Sequence, residues 1–463
     1  MKVKDILDVD IIDYDHLGLG VAKVNNFPIF VPYALKGEKV RVEITRVTKN
    51  IAESKLIEVL VESKERNHDI CPHYLECGGC SLMHMSYAEQ LRFKRDSVQN
   101  TMHRIGGIDI KVNDVVENPN RLHYRNKIIV PLGLDSNGNV ISGFYKEKSH
   151  QIIENDSCLI EHKGAREIIS FIKEQIKKNK LTIYNESTNS GLFRNIMLRV
   201  NNQNEFMVVF IVKKNQPILT SMALELVSKF NNIKSIYACV NKEKTNVILK
   251  GEFIHLLLDK YLVEEINGLK FIVHPNSFLQ VNHDQCENLY NKALSYIPND
   301  KSKNIIDAYC GVGSITLSLA SKAKHVYGIE IVKEAVDNAN INKELNGLDN
   351  VDFICGPCEK EIEKLTKVGS MDYIVFDPPR KGCDQAFLDT VINMNIKNII
   401  YISCLPQSLA RDVKYLVEHG YELKEITPFD MFSQTGHVEN VSFFNKKLDN
   451  KKLWDFISLR AIF

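Results

Sequence analysis

From about residue 261 onward the chain repeats one rhythm, and few folds satisfy it. The apolar runs NIIDAYCGVG, HVYGIEI, NVDFICG, YIVFDPP and NIIYISCLP alternate with helical stretches. A run that is apolar throughout reads as a strand buried on both faces, with the intervening helices as crossovers of a parallel sheet. YELKEITPFD and HVENVSFFNKK follow with only a short connection, as a closing hairpin-like pair. The expectation over residues 261–463 is a doubly wound α/β sheet of seven strands.

The preceding chain divides in two. Residues 1–60 read as short strands, GLGVAKV, FPIFVPYAL, EKVRVEITRV and ESKLIEVLVE, with valine and isoleucine alternating with polar residues. That is the pattern of a small OB-like antiparallel β-barrel. Residues 61–260 carry a cysteine cluster and then mixed strands and helices such as NIMLRV and FMVVFIV, a small α+β central domain. The order of its strands is not readable.

Charge excludes little and supports less. The 59 basic and 58 acidic residues leave a formal net charge of +1, so any nucleic-acid surface must be local. MKVKDILDVD has two lysines but no following apolar run, and no stretch approaches the roughly 20 apolar residues that span a bilayer. A cytoplasmic protein with no membrane partner is expected. Eleven cysteines, an odd number scattered along a long chain, argue against a secreted disulfide framework.

IIDAYCGVGSITLSLA joins a strand, a glycine turn and a helix. Gly311 and Gly313 let the backbone bend sharply and approach a ligand. A dinucleotide fingerprint wants a third glycine where Thr316 stands. Glu330 ends the next strand, where a carboxylate can accept from both ribose hydroxyls. Nicotinamide and S-adenosylmethionine enzymes share this arrangement. Asp377-Pro378-Pro379 closes the fourth strand with a rigid loop, which favours methyl transfer to a base without choosing the atom.

Three further features carry chemistry. Cys404 ends the fifth strand, just before a helix expected near Gln407, where a helix N-terminus tends to lower a thiol pKa. Glu439 opens the last strand and would project into the same crevice. Cys71-x5-Cys77-x2-Cys80, with Cys158 further on, supplies four thiolates for an iron–sulfur cluster, and His73 and His84 keep zinc on three cysteines and a histidine open. Finally, residues 121–127 pack three cations, a histidine and an aromatic into seven positions, a mix suited to phosphate contacts and base stacking.

YISCLPQSLARD is similar to the nucleophile motif of the bacterial RNA 5-methyluridine methyltransferases, and PFDMFSQTGHVENV resembles their general-base motif. FLQVN and DPPRKG complete the set in the same order, across essentially the whole chain, with a barrel of the TRAM type at the N-terminus. The resemblance implies a class I methyltransferase sheet, with a Cys404 thiolate that joins C6 of a uridine and Glu439 as the base. It implies S-adenosylmethionine contacts at Gln280, Tyr309, Glu330 and Asp377. CPHYLECGGCSLMHM with a distant cysteine resembles the four-iron motif of the branch directed at 23S rRNA, implying a [4Fe-4S] cluster on Cys71, Cys77, Cys80 and Cys158. Radical enzymes use a tighter Cys-x3-Cys-x2-Cys, so a structural or RNA-contacting cluster is expected. A Tyr-Arg-Asn-Lys segment implies RNA contacts at Arg121, Tyr124, Arg125, Asn126 and Lys127. Two departures stand out: Leu405, where relatives carry asparagine, and Pro357-Cys358-Glu359, where a small residue usually precedes the acid. The expected partner is 23S rRNA and the expected state a monomer. A tRNA uridine enzyme, a methyltransferase for another base and a non-catalytic RNA-binding assembly factor are the alternatives.

Overall fold

The alternation of valine and isoleucine near the N-terminus forms six strands in one sheet. Their spatial order is Ile6–Asp10, Lys39–Val47, Ala52–Val61, Phe27–Val31, Gly20–Val24 and Asp13–Tyr14. One side chain in two faces inward, so Val9, Ala22, Ile29, Val40 and Val42 make its core. A second, mixed sheet of seven strands runs from Lys127–Leu134 to Glu252–Leu258, its apolar positions packed with those of helices Ala165–Lys178 and Ile218–Lys229.

This computed structural model describes residues 1–447, in two compact units that alternate along the chain. The first comprises residues 1–94, 117–286 and 430–437, and the second 95–116, 287–429 and the chain from 438. The three-part division read from the sequence does not coincide with these units, because residues 261–286 and 430–437 fold with the first. The end of the segment assigned to the third part, residues 448–463, lies outside the described residues.

The second unit holds the expected seven-stranded sheet. Its strands are β1 (Asn304–Ala308), β2 (His325–Glu330), β3 (Val351–Cys355), β4 (Tyr373–Phe376), β5 (Asn398–Ser403), β6 (Tyr421–Phe429) and β7 (Glu439–Lys446). The spatial order is β3-β2-β1-β4-β5-β7-β6, parallel except where β7 pairs antiparallel with β5 and β6. Helices α1 (Ser314–Ala320), α2 (Lys333–Leu345), α3 (Cys358–Leu365), α4 (Gln385–Asn393) and α5 (Pro406–Glu418) are the crossovers. All four residues of β4 are buried, as a strand covered on both faces requires. Chain order reverses between β1 and β4, the switch point at which such sheets bind ligands.

Residues 430–437, between β6 and β7 in sequence, are anchored within the first unit. Lys94 and Asp430, both fully buried, form an ion pair. The carboxylate also accepts from the Tyr87 hydroxyl at 2.8 Å, and Lys94 Nζ donates to the Phe432 carbonyl at 3.0 Å. Gln90 and Gln434 exchange two hydrogen bonds, and the Gln434 carbonyl accepts from the amides of Ser81 and Leu82 at 2.9 and 3.0 Å. Removing one partner of a buried pair strands the other charge. Lys94→Met is expected to cost about 3–5 kcal/mol in urea denaturation, with recovery in the double variant Lys94→Met/Asp430→Asn.

Candidate active site

The carboxyl ends of β1, β2, β4 and β5 carry the residues singled out for cofactor and chemistry. After β1 the backbone turns through Tyr309, Gly311 and Gly313, all with positive φ, at 64°, 55° and 84°. A Cβ on Gly313 would stand 2.6 Å from the Phe353 ring, whereas one on Gly311 would meet nothing within 4 Å. The second glycine is thus demanded by packing as well as conformation, and the first leaves open space beside the turn. Glu330 at the end of β2 accepts from the amides of Gly311 at 3.2 Å and Val332 at 2.9 Å, which fixes its carboxylate beside that turn. Thr316, in place of a third glycine, donates its hydroxyl to the buried Asp307 at 2.5 Å. Burial raises the Asp307 carboxyl to about 7, and its Oδ1 has no hydrogen-bond partner among the described residues.

Strand register brings the two candidate reacting groups together. Ser403 on β5 pairs with Asn440 on β7 as the last pair of that ladder, with Cys404 next after the one and Glu439 just before the other, and the Glu439 charge acts on the Cys404 thiol. Glu439 is 3% exposed, and its Oε2 has no hydrogen-bond partner among the described residues. Cys404 is partly exposed, two residues before Pro406 opens α5. The departure at Leu405 costs the turn no fixation. Ser403 Oγ accepts from the Leu405 amide at 3.3 Å, and Ser408 Oγ donates to its carbonyl at 3.1 Å. At the other departure, Cys358 is buried, its thiol donating to the Ile329 carbonyl at 3.8 Å.

Electrostatics here run against the helix-terminus expectation. Burial, then the negative charges of Glu439 and Asp377, push the Cys404 thiol up to about 11. Burial and Asp377 raise Glu439 to about 8, and burial raises Asp377 to about 7. Desolvation outweighs whatever the start of α5 contributes. Arg380 opposes these effects, lowering both the thiol and Glu439. Arg380 is a functional candidate that the DPPRKG motif does not by itself single out; its position three residues past Asp377 is the signal the sequence holds for it.

In the first unit the four cysteines of the metal reading line one cavity, with Tyr74 and Met83 among its walls. Burial raises the thiols of Cys77, Cys80 and Cys158, and the neighbouring cysteines raise Cys77 and Cys80 further. The Gly79 amide donates to Cys77 Sγ at 3.4 Å. Among the described residues no three His, Cys, Asp or Glu side chains are grouped to hold a single metal ion. His84 is buried with Nδ1 bonded to the Tyr74 hydroxyl at 2.6 Å, and burial lowers its pKa to about 3. No disulfide joins any of the eleven cysteines, and among the described residues no helix is long and apolar enough to cross a membrane.

The basic segment is less open than its composition suggested. Arg121 is exposed, with its guanidinium over the Tyr87 ring at 4.8 Å. Tyr124 is 7% exposed and donates its hydroxyl to the Ser433 carbonyl at 2.9 Å, so its ring is a buried strut and not an open stacking face. Arg125 and Asn126 are partly buried; Arg125 Nε donates to the Lys127 carbonyl at 3.1 Å and Asn126 Nδ2 to the Gln280 carbonyl at 3.1 Å. Burial, with Arg199 and Arg125 nearby, brings Lys127 down to about 7. Gln280 is buried in this first unit.

Residues 86–447 match the family model described as tRNA (uracil-5-)-methyltransferase, and residues 2–57 match the TRAM domain. The chain belongs to the tRNA (uracil-5-)-methyltransferase family. An uncharacterized RNA methyltransferase of Oceanobacillus iheyensis is 42% identical to it over 443 residues, covering 95% of this chain and 96% of that protein. One of Clostridium tetani is 43% identical over 438 residues, covering 94% and 95%. The solved structure of Pyrococcus abyssi tRNA (uracil-54, C5)-methyltransferase, in complex with S-adenosyl-L-homocysteine, is 28% identical with a TM-score of 0.78, covering 94% of this chain and 99% of that one. This methyltransferase therefore acts on RNA and uses S-adenosylmethionine, on the α/β fold expected of it.

The raised Glu439 predicts a pH signature for the enzyme. A carboxyl lifted from 4.5 to about 8 contributes stability that is complete below 4.5 and lost as pH rises through 8. Glu439→Gln removes that dependence. Its melting temperature is expected to match the parent near pH 5 and to exceed it increasingly toward pH 9, as read by calorimetry.

Proposed function

We propose that this enzyme methylates C5 of a uridine in 23S rRNA through a covalent bond between Cys404 and C6, with Glu439 as the general base. The observation that supports the reading is the meeting of the end of β5 with the start of β7, where the charge of the buried Glu439, whose Oε2 has no hydrogen-bond partner among the described residues, acts on the Cys404 thiol. Free uracil is a poor nucleophile at C5. The Cys404 thiol first loses its proton to solvent; when the thiolate bonds to C6, the C5–C6 π electrons move onto the C4 oxygen and the enolate makes C5 reactive. S-adenosylmethionine, when bound, supplies the methyl as an electrophile. Glu439 in its ionised form then removes the C5 proton, the C5–C6 double bond re-forms, and the Cys404 thiolate departs. Gly311, Gly313, Tyr309, Glu330 and Asp377 fit the cofactor, on the open space beside the Gly311 turn, and Gln280 is read as a further contact. The uridine reaches such a crevice by flipping out of its stack.

The six-stranded N-terminal sheet is read as an OB-like barrel that, with Arg121, Tyr124, Arg125, Asn126 and Lys127, serves RNA. Its TRAM match supports this. Tyr124 would act there as the strut that holds its neighbours. The four cysteines are read as ligands of a [4Fe-4S] cluster. A cubane takes one thiolate at each of four irons, so it suits sulfurs spread around a cavity; one zinc needs them gathered at a point. The shared cavity, its apolar walls and the amide on Cys77 Sγ support the cluster. The likeness to the Pyrococcus abyssi tRNA enzyme favours a second reading, a tRNA uridine.

Four measurements test these statements. With 5-fluorouridine RNA, whose fluorine blocks elimination, the parent enzyme should form a stable covalent adduct and Cys404→Ala none; full activity in Cys404→Ala would overturn the C5 chemistry. On ordinary RNA, Glu439→Gln should accumulate a methylated adduct. Mass mapping of RNA from cells lacking the protein should show one 23S uridine without its methyl, whereas loss from tRNA would reassign the substrate. Iron and acid-labile sulfide on anaerobically purified enzyme should fall in Cys158→Ser, and zinc in their place would refute the cluster.

A further inference from the structure

Helix α5 begins two residues after Cys404, and its second turn grips the loop that follows Asp377. Asp412 is 1% exposed. Its Oδ2 accepts from the Tyr401 hydroxyl at 2.8 Å and from the Cys383 amide at 2.9 Å, and its Oδ1 accepts from Arg411 Nε at 2.8 Å. Arg411 Nη2 donates in turn to the carbonyls of Lys381 and Cys383, at 3.0 and 3.1 Å. Gly382 lies between them with φ of 79°, and a Cβ there would stand 2.6 Å from both Arg411 Nη2 and Asp412 Oδ2. Three consecutive residues of an otherwise exposed loop are thus stapled to the nucleophile's helix, with a glycine where only glycine fits.

The residue before the staple is Arg380, and the residues before that are Pro378 and Pro379, stiff by their rings. Arg380 itself is exposed. A long cation on a free loop would sample many positions. The loop leaves β4 where Phe376 pairs with Tyr401 of β5, so a cation held on both sides there stays near the end of β5 that precedes Cys404. We infer that Arg411 and Asp412 are positioning residues that hold Arg380 against the Cys404 thiol. The inference rests on the reading of Cys404 as nucleophile and names the part of the chain that prepares it. Glu439 and Asp377 are the charges that act on the thiol in the opposite sense.

The test needs neither RNA nor cofactor. The rate of Cys404 alkylation by iodoacetamide is followed against pH on the full chain, with the Cys404 peptide quantified by mass spectrometry. Arg411 is the first target because its side chain is half exposed, at 55%, and its loss should spare the fold. Arg411→Gln is expected to shift the alkylation profile to higher pH, slowing the reaction near neutrality by up to about tenfold, which is one pKa unit. Arg411→Lys should restore part of the rate, and Asp412→Asn should behave like Arg411→Gln. In an Arg380→Met background Arg411→Gln should slow alkylation no further, since its effect runs through Arg380. Equal slowing in both backgrounds, or a lower melting temperature with an unchanged profile, overturns the inference. Because no RNA enters the measurement, a missing adduct with 5-fluorouridine RNA would count against the C5 chemistry and leave the staple standing.

Discussion

An antiparallel ladder between β5 and β7 fixes how the candidate site of the second unit is assembled. β5 lies in a parallel sheet whose crossovers deliver loops to one edge, and β7 enters from the opposite direction. The start of β7 therefore meets the end of β5, where Ser403 pairs with Asn440, one residue before Cys404 and one after Glu439. A slip of one residue would turn the carboxylate to the other face of the sheet. Burial of Val438, Val441 and Phe444 in the core holds the register.

Burial then decides how these groups behave. Cys404, Glu439 and Asp377 are all raised, first by desolvation, then for Cys404 by the charges of Glu439 and Asp377 and for Glu439 by that of Asp377. Desolvation thus disfavours three negative charges side by side in the crevice, and each group gives up its proton less readily than it would in water. Groups poised this way exchange protons at modest cost, as general acid–base work requires. Arg380 supplies the opposing charge from an exposed loop, and its usefulness depends on how firmly that loop is held.

The first unit shows a different solution to rigidity. Its 430–437 segment contains no regular strand or helix, yet its backbone and side chains are tied down by Lys94, Tyr87, Gln90, Ser81 and Leu82. Buried polar groups demand partners, and a segment that satisfies so many at once has few other conformations available. The cysteine-lined cavity adjoins this framework in sequence, since Ser81 directly follows Cys80.

Much of the second unit was legible because its signals are local. Continuous apolar runs announce buried strands, Gly311 and Gly313 a tight turn, and Pro378 and Pro379 a stiff loop, all within a few residues of sequence. The motifs around Cys404 and Glu439 were legible in the same way. What the sequence could not express was anything that depends on distant segments meeting. The membership of residues 430–437 in the first unit rests on partners more than 300 positions away, such as Lys94. Tyr124 looked like an open aromatic among cations, and only the packed structure shows its hydroxyl spent on Ser433. The raised thiol of Cys404 likewise follows from desolvation and from Glu439 across a ladder, whereas its own neighbours in sequence suggested the reverse. By itself the chain's order of residues determined the strands, the turns and which titratable side chains stand at their ends. Tertiary structure decided their proton affinities and their supports, because burial and charge act through space and not along the chain.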